Sequence, residues 1–317
     1  MIEILLKNKK SFKAQRVSEL TVSELDFHVM QFMDYTNSEL SWLEENYGLD
    51  FTIMKHFEDI EISSHFLENE NQAAFHFSIP YYNTERTMVE EPLFIIITEV
   101  GLFLFTSLNL DAYFNEKYPA KINSLQRIPD LQGIFKFQFE FVSDYFADIT
   151  ESLSRKVKLL ANDILIEKEF SSNVMDIITR YNFNNLLIKE SLLETTRVLR
   201  LYIKSNWEQK AELKESIRTE LNDLTVISDY IEFNFDRLDD LRENVSNKID
   251  LEQNHIFKML TVVTVCISLP TLIAGVYGMN FETMPELKFA FGYPIVLIAM
   301  ICSAILPFIY FKRKKWL

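Results

Sequence analysis

The chain has 317 residues, a net charge of −14 and 48% apolar residues, so it has ample material for a real core. The acidic balance argues against a nucleic-acid partner and suits a protein that handles cations. Its two cysteines, Cys266 and Cys302, both fall in apolar runs, which excludes a disulfide framework and reads as small packed hydrophobes.

The start, Met1-Ile2-Glu3-Ile4-Leu5-Leu6-Lys7, lacks a signal-peptide layout. Residues 1–133 hold Gly48, Gly101, Gly133, Pro80, Pro92, Pro119 and Pro129 and read as a cytoplasmic α/β domain. Within it, 23–33 and 37–45 are expected as helices capped by Ser23 and Asn37. Residues 74–79, 93–98 and 102–105 are expected as strands, the last two joined across Val100-Gly101. His28, His56, His65, His76 and His255 form no pair at metal-ligand spacing in the sequence.

From 134 to 269 there is neither Gly nor Pro, which predicts long helices. Residues 135–141 alternate like a strand, but the helical pattern continues through Tyr145, Ile149, Leu153, Val157 and Leu160. An antiparallel helical pair is therefore expected over 134–206, near 134–165 and 170–203. A third helix would run unbroken from Trp207 to Tyr277, roughly 105 Å at 1.5 Å per residue. Its 207–255 part is read as a cytoplasmic stalk, whose Leu213, Ile217, Leu221, Leu224, Ile231, Phe235, Leu238, Val245 and Ile249 need neighbours.

Residues 259–281 and 289–311 contain no Asp, Glu, Lys or Arg, and each exceeds the roughly 20 apolar residues that cross a bilayer. The expected layout is a first span at 256–277, an external loop at 278–290, a second span at 291–311 and a basic tail at 312–317. The tail, Phe311-Lys312-Arg313-Lys314-Lys315-Trp316-Leu317, belongs in the cytoplasm by the positive-inside rule. An even number of spans puts the N-terminal body there too. The fold class is thus an α+β cytoplasmic domain, a long stalk helix and a two-helix transmembrane hairpin.

Alternating steps of three and four back from the loop pass through Gly278, Gly275, Thr271, Ser268, Thr264, Thr261, Phe257 and Asn254. The same line continues through Asp250, Asn247, Glu243, Asp240 and Asp236. Polar groups at bilayer depth face protein or water. One reading is therefore a water-filled conduit enclosed by parallel copies of the chain. The other is close helix packing by small residues. A strict 3.5-residue repeat drifts about 20° per heptad on a straight helix, so supercoiled copies fit it best. Phe257 and Leu260 would form an apolar constriction that gates by dewetting, with Asn254 lining the pore just beneath and Asp250, Asn247 and Glu243 at the cytoplasmic entrance.

Tyr277-Gly278-Met279-Asn280-Phe281-Glu282, Met284-Pro285-Glu286-Leu287, Gly292-Tyr293-Pro294 and the basic tail together resemble the CorA family of magnesium channels. Leu251-Glu252-Gln253-Asn254 and Pro270-Thr271-Leu272-Ile273-Ala274-Gly275 extend the similarity upstream. The resemblance implies a homopentamer in a cell membrane whose first span lines the pore and whose second packs outside it. It implies that Gly278, Met279 and Asn280 form the selectivity site, while Glu282 and Glu286 would concentrate cations outside. It further implies Mg²⁺ as the transported and regulatory ion, with Co²⁺ and Ni²⁺ as possible companions. Carboxylates bridged between subunits would sense internal Mg²⁺. Glu212, Glu215, Glu220, Asp223, Glu90 and Glu91 are candidates that match no family site residue by residue.

No phosphate-cradling Gly-x-x-x-x-Gly-Lys-Ser/Thr loop is present, so neither a nucleotide partner nor ATP drive is expected. No catalytic constellation stands in residues 1–200, so the chain is not read as an enzyme. Two alternatives remain: a zinc or other transition-metal transporter of the same superfamily, and, remotely, a membrane-tethered scaffold.

Overall fold

The computed structural model describes residues 1–20, 26–55, 65–118, 121–167, 172–205, 207, 211–279, 284–285 and 289–316. Among them, segments rich in Phe, Ile and Leu pair as strands: β1 (Ile2–Leu6), β2 (Ser11–Ala14), β3 (Phe27–Met33), β4 (Phe66–Glu68), β5 (Gln72–Tyr82), β6 (Met88–Thr98) and β7 (Leu102–Thr106). They form one sheet in the order β2-β1-β3-β7-β6-β5-β4. Only β3 and β7 pair in parallel; the other neighbours are antiparallel.

Both faces of the sheet are covered, which is why β6 ends in the uninterrupted run Phe94-Ile95-Ile96-Ile97, with every member buried. Phe94, Ile96, Phe103 and Phe105 share one core with Leu43 of α1 (Asn37–Tyr47). On the other face, Phe75 meets Phe139 of α4 (Leu131–Asn162) and Tyr202 of α5 (Ser172–Lys204), at centroid distances of 5.2 and 5.3 Å. Shorter helices α2 (Leu108–Lys117) and α3 (Lys121–Arg127) lie between β7 and α4 in sequence.

Two expected helix starts need correction. Residues 27–33 are the interior strand β3, not the end of a helix. They are flanked by β1 on one side and β7 on the other, and Phe27, Met30 and Phe32 are buried. A short apolar run has no period of its own, so the strands on either side decide its form. Ser23 lies outside the described residues. The N-cap of α1 is Thr36, not Asn37, in a capping box where Thr36 N–H donates to Glu39 Oε2 at 2.8 Å.

The alternating segment 135–141 is helical, as its continuation implied. Phe135, Phe139, Val142, Phe146, Ile149 and Leu153 form the buried face of α4. Helices α4 and α5 are antiparallel: Tyr202 near the end of α5 stacks on Phe139 near the start of α4. At the other end, Asn184 reaches Tyr82, whose ring also holds Lys156. Helix α6 (Ala211–Tyr277) runs unbroken for 67 residues, and its Leu213, Ile217, Leu224, Ile231 and Leu238 are buried. Trp207 precedes that helix instead of starting it.

The chain divides into two compact units, Met1–Asp240 and Leu241–Leu317. In the second unit, α6 and α7 (Gly292–Arg313) form a hairpin. Val265 and Leu269 share a groove with Ser303, Leu306, Pro307, Tyr310 and Phe311. Both helices are long and apolar enough to cross a membrane, and only 6% and 0% of their most apolar windows is buried. Water is a poor solvent for that much apolar surface.

Candidate functional site

The polar line on α6 is an exposed face of one continuous helical segment, with Pro270 inside it. Thr261, Thr264, Ser268, Thr271 and Gly275 are all exposed. Thr264, Ser268, Thr271 and Gly275 line a shallow groove with Ile267, Val276 and Met279. Three of the hydroxyls are spent on the helix itself. Thr261, Thr264 and Thr271 donate to the carbonyls of Phe257, Leu260 and Ile267, each at 2.8 Å. Ser268 makes a longer bond to Val265 O at 3.4 Å. With their protons used, these oxygens present lone pairs outward, and lone pairs are what the water shell of a cation seeks.

A Cβ added to Gly275 would meet nothing within 4 Å. Its smallness therefore serves no packing inside this chain, which weakens the reading of the stripe as a helix-packing seam between α6 and α7. Toward the loop, Gly278 N–H donates to Ala274 O at 2.8 Å and Met279 N–H to Val276 O at 3.3 Å, tightening the last turn. The negative end of the helix dipole thus sits beside Gly278 and Met279. Asn280, Glu282 and Glu286 lie outside the described residues.

Below the hydroxyl stretch, Phe257 and Leu260 are 64% and 59% exposed. Asn254, Asp250, Asn247 and Glu243 follow, all exposed on α6. The helix therefore brings these predicted positions onto one run, ordered as amide and carboxylate, bulky apolar, hydroxyl, glycine.

Among the described side chains, Glu90, Glu91, Glu215 and the Glu220–Asp223 pair do not come together in one site within the chain. Glu90 accepts from Ser191 of α5 at 2.5 Å, and burial pushes its carboxyl up, with Glu194 and Glu190 adding to the effect. Its neighbour Glu91 accepts from Tyr81 O–H at 2.5 Å. Glu215 pairs with Arg218 at 3.0 Å. Glu220 is 8% exposed, raised by burial and by Glu140, Asp223 and Asp144. Asp144 is itself raised by burial and by Asp148, Glu140 and Asp223. Glu220 and Asp223 thus join an acidic band whose α4 members, Glu140 and Asp144, the sequence reading passed over. No group of three or more His, Cys, Asp or Glu is placed to hold a metal ion among the described residues.

The α/β body is thus followed by one long helix that ends in an apolar hairpin with a polar edge, whose two helices are long and apolar enough to cross a membrane. A protein-family model described as CorA-like Mg²⁺ transporter protein matches residues 27–313, and the chain belongs to that family. The magnesium transport protein CorA of Campylobacter jejuni strain RM1221 is 28% identical over 329 residues, covering 100% of both chains. That of Wolinella succinogenes is 27% identical over 284 residues, covering 88% of each. Among solved structures, the complete CorA magnesium transporter of Methanocaldococcus jannaschii aligns with a TM-score of 0.79 at 18% identity. That alignment covers 100% of this chain and 99% of the other. The family is one of transporters, not enzymes.

Proposed function

We propose that the chain is the subunit of a passive Mg²⁺ uptake channel, a homopentamer in a cell membrane with both termini in the cytoplasm. The observation that carries this reading is the exposed glycine-and-hydroxyl face of α6, which ends at Gly278 and Met279. Five such faces around one axis would enclose water. The second span, α7, would then pack outside.

Mg²⁺ loses its water reluctantly and binds through its hydration shell. A ring of Asn280 amide oxygens suits that shell, since it accepts hydrogen bonds from the waters without holding the ion too tightly to leave. Glu282 and Glu286 would raise the local cation concentration outside. The lone pairs left on Thr261, Thr264 and Thr271 would pass the hydrated ion along the bore. Phe257 and Leu260 would close the bore by dewetting, above an entrance built of Asn254, Asp250, Asn247 and Glu243. An inward potential suffices as drive, about 4.6 kcal/mol for a divalent ion at 100 mV. Internal Mg²⁺ would favour the closed state by neutralising raised carboxylates such as Glu90 and Glu220.

The test is ion flux into liposomes holding the purified chain. Mg²⁺ uptake is expected, with Co²⁺ and Ni²⁺ following more weakly, and Asn280→Ala should remove it while cross-linking still yields a five-rung ladder. Undiminished Mg²⁺ flux in that variant would remove Asn280 from the selectivity site. Preferential Zn²⁺ flux in the wild type would favour the transition-metal alternative.

A further inference from the structure

In the Leu241–Leu317 unit, an apolar groove of about 440 Å³ runs between α6 and α7, lined by Val265 and Leu269 on one helix and by Ser303, Leu306, Pro307 and Tyr310 on the other. Its aliphatic hydroxyl is already spent, since Ser303 donates to Met300 O at 2.7 Å. The remaining polar side chain of the wall, Tyr310, stands at one end, next to Phe311. A hydrocarbon chain therefore suits the length of the groove.

The Tyr310 end is where α7 meets the basic tail. Lys314 lies four positions past Tyr310 and seven past Pro307, hence on the groove side of α7, and its N–H still donates to Tyr310 O at 3.1 Å. Lys258 lies seven positions before Val265, so α6 presents it on the same side, about 10.5 Å along the axis. The two helices run in opposite directions, so both lysines stand at one mouth. The tail also folds back there. Lys315 is left-handed, with φ 57°, and Trp316 N–H donates to Phe311 O at 3.2 Å. The indole thereby packs on the Phe311 ring, centroids 5.1 Å apart. Lys258, Lys312, Arg313, Lys314 and Lys315 are all exposed, and no Asp or Glu occurs in 253–281 or 287–317. The nearest carboxylates along α6, Glu252 and Asp250, lie six and eight positions further from the groove than Lys258. The positive-inside rule asks for cations at this end of a span. It does not ask for an apolar slot that leads to them, or for an indole folded over its rim.

We propose that this groove binds one anionic phospholipid. An acyl chain lies along Val265, Leu269, Leu306 and Pro307, and the headgroup phosphate rests between Lys258 and Lys314. The rings of Tyr310 and Trp316 sit at the boundary between chain and headgroup, where amphipathic aromatics belong. Basic pockets between spans select lipid headgroups in this way. Lys312, five positions past Pro307, projects from the opposite side of α7 and takes no part. The site needs only that the hairpin lies in a bilayer; neither a pore nor five copies enters it.

The experiment is native mass spectrometry of the full-length chain in detergent, titrated with phosphatidylglycerol, phosphatidylcholine or glycerol 3-phosphate. One phosphatidylglycerol per chain is expected, with phosphatidylcholine at least about tenfold weaker and glycerol 3-phosphate, a phosphate without acyl chains, not retained. Lys314→Gln and Lys258→Gln should each weaken phosphatidylglycerol about fivefold and leave phosphatidylcholine as it was. Lys312→Gln should change neither. Leu306→Trp, at a position 65% exposed, should weaken both lipids by filling the slot. Equal retention of the two lipids would mean an unselective coat and would overturn the proposal. So would a loss in Lys312→Gln as large as that in Lys314→Gln, because total tail charge would then explain it. A Leu306→Cys chain, made with Cys266→Ala and Cys302→Ala, that cross-links to a second copy would also overturn it, since another subunit would fill the groove. The readout is bound lipid, so it stands or falls apart from the ion-flux result.

Discussion

The imidazole of His65 stands edge to face against that of His76, ring centroids 4.7 Å apart, with each side chain 4% exposed. His76 also stacks on Phe94 at 5.0 Å. Burial, with His65 adding to it, holds the His76 pKa down to about 3. The unfolded chain takes up this proton near pH 6.5, so acid favours unfolding. His76 thus leaves stability intact above about pH 6.5 and erodes it as pH falls toward 3, by about 5 kcal/mol at most. Phenylalanine keeps the stacking surface and cannot be protonated. His76→Phe should therefore lose less stability than wild type between pH 7 and pH 5, a difference of about 2 kcal/mol in unfolding free energy. Parallel acid curves for the two proteins would show that the pair does not set the acid limit.

Glu90 behaves with the opposite sign. Its carboxyl is raised by burial, so protonation stabilises the fold, and that contribution is lost as pH rises through the folded value. At neutral pH its charge opposes folding. Glu90→Gln retains a partner for the Ser191 hydroxyl and should raise the unfolding midpoint at pH 7 by a few degrees, about 2–4 °C per kcal/mol. The midpoint gain from added Mg²⁺ should shrink in the same variant. A variant that melts below wild type at pH 7 would contradict the assignment of Glu90 as a destabilising charge.

Much of this was legible because it is local. The helix across 135–141 follows from a pattern carried on by Tyr145 and Ile149, and the β6–β7 hairpin from the Gly101 between two apolar runs. The line from Gly278 to Asn254 is legible for the same reason, since one helix orders it. What was missed depends on partners remote in the chain. β3 is a strand because β1 and β7 pair with it, and His65 meets His76 because Phe66 registers with Phe75 across β4 and β5. Ser154 of α4 donates to Asn234 of α6, 80 residues apart, and no spacing rule reaches that far. Thr36 was a visible capping-box residue, with Glu39 three positions on, yet the adjacent Asn37 drew the assignment.

Gly101 is held by packing. An added Cβ would stand 2.6 Å from Phe27 Cε2 and 3.1 Å from the His28 carbonyl oxygen. Phe27 cannot give way easily, being 1% exposed and set edge to face against Tyr47 and Phe103 at 5.6 and 5.4 Å. Gly101→Ala should therefore destabilise the α/β unit by about 1–3 kcal/mol. Thermal unfolding measures it, and an unchanged midpoint would mean that the turn or the ring adjusts freely.

The gate assignment can be separated from simple loosening of the helix. Phe257 presents a ring that is 64% exposed on α6, one turn from Thr261, whose hydroxyl bonds to the Phe257 carbonyl. If a ring of these side chains closes the bore by excluding water, removing the aromatic group is what matters. Phe257→Gly removes it but also weakens the helix by about 1 kcal/mol relative to alanine. Phe257→Ala removes it and keeps the helix. Both variants should therefore conduct Mg²⁺ in liposomes loaded with high Mg²⁺ on the cytoplasmic side, where the wild type is expected to close. Leak from the glycine variant alone would trace the effect to the backbone and take the gate away from Phe257. Closure in both would move the constriction elsewhere, with the adjacent Leu260, 59% exposed, the next position to test.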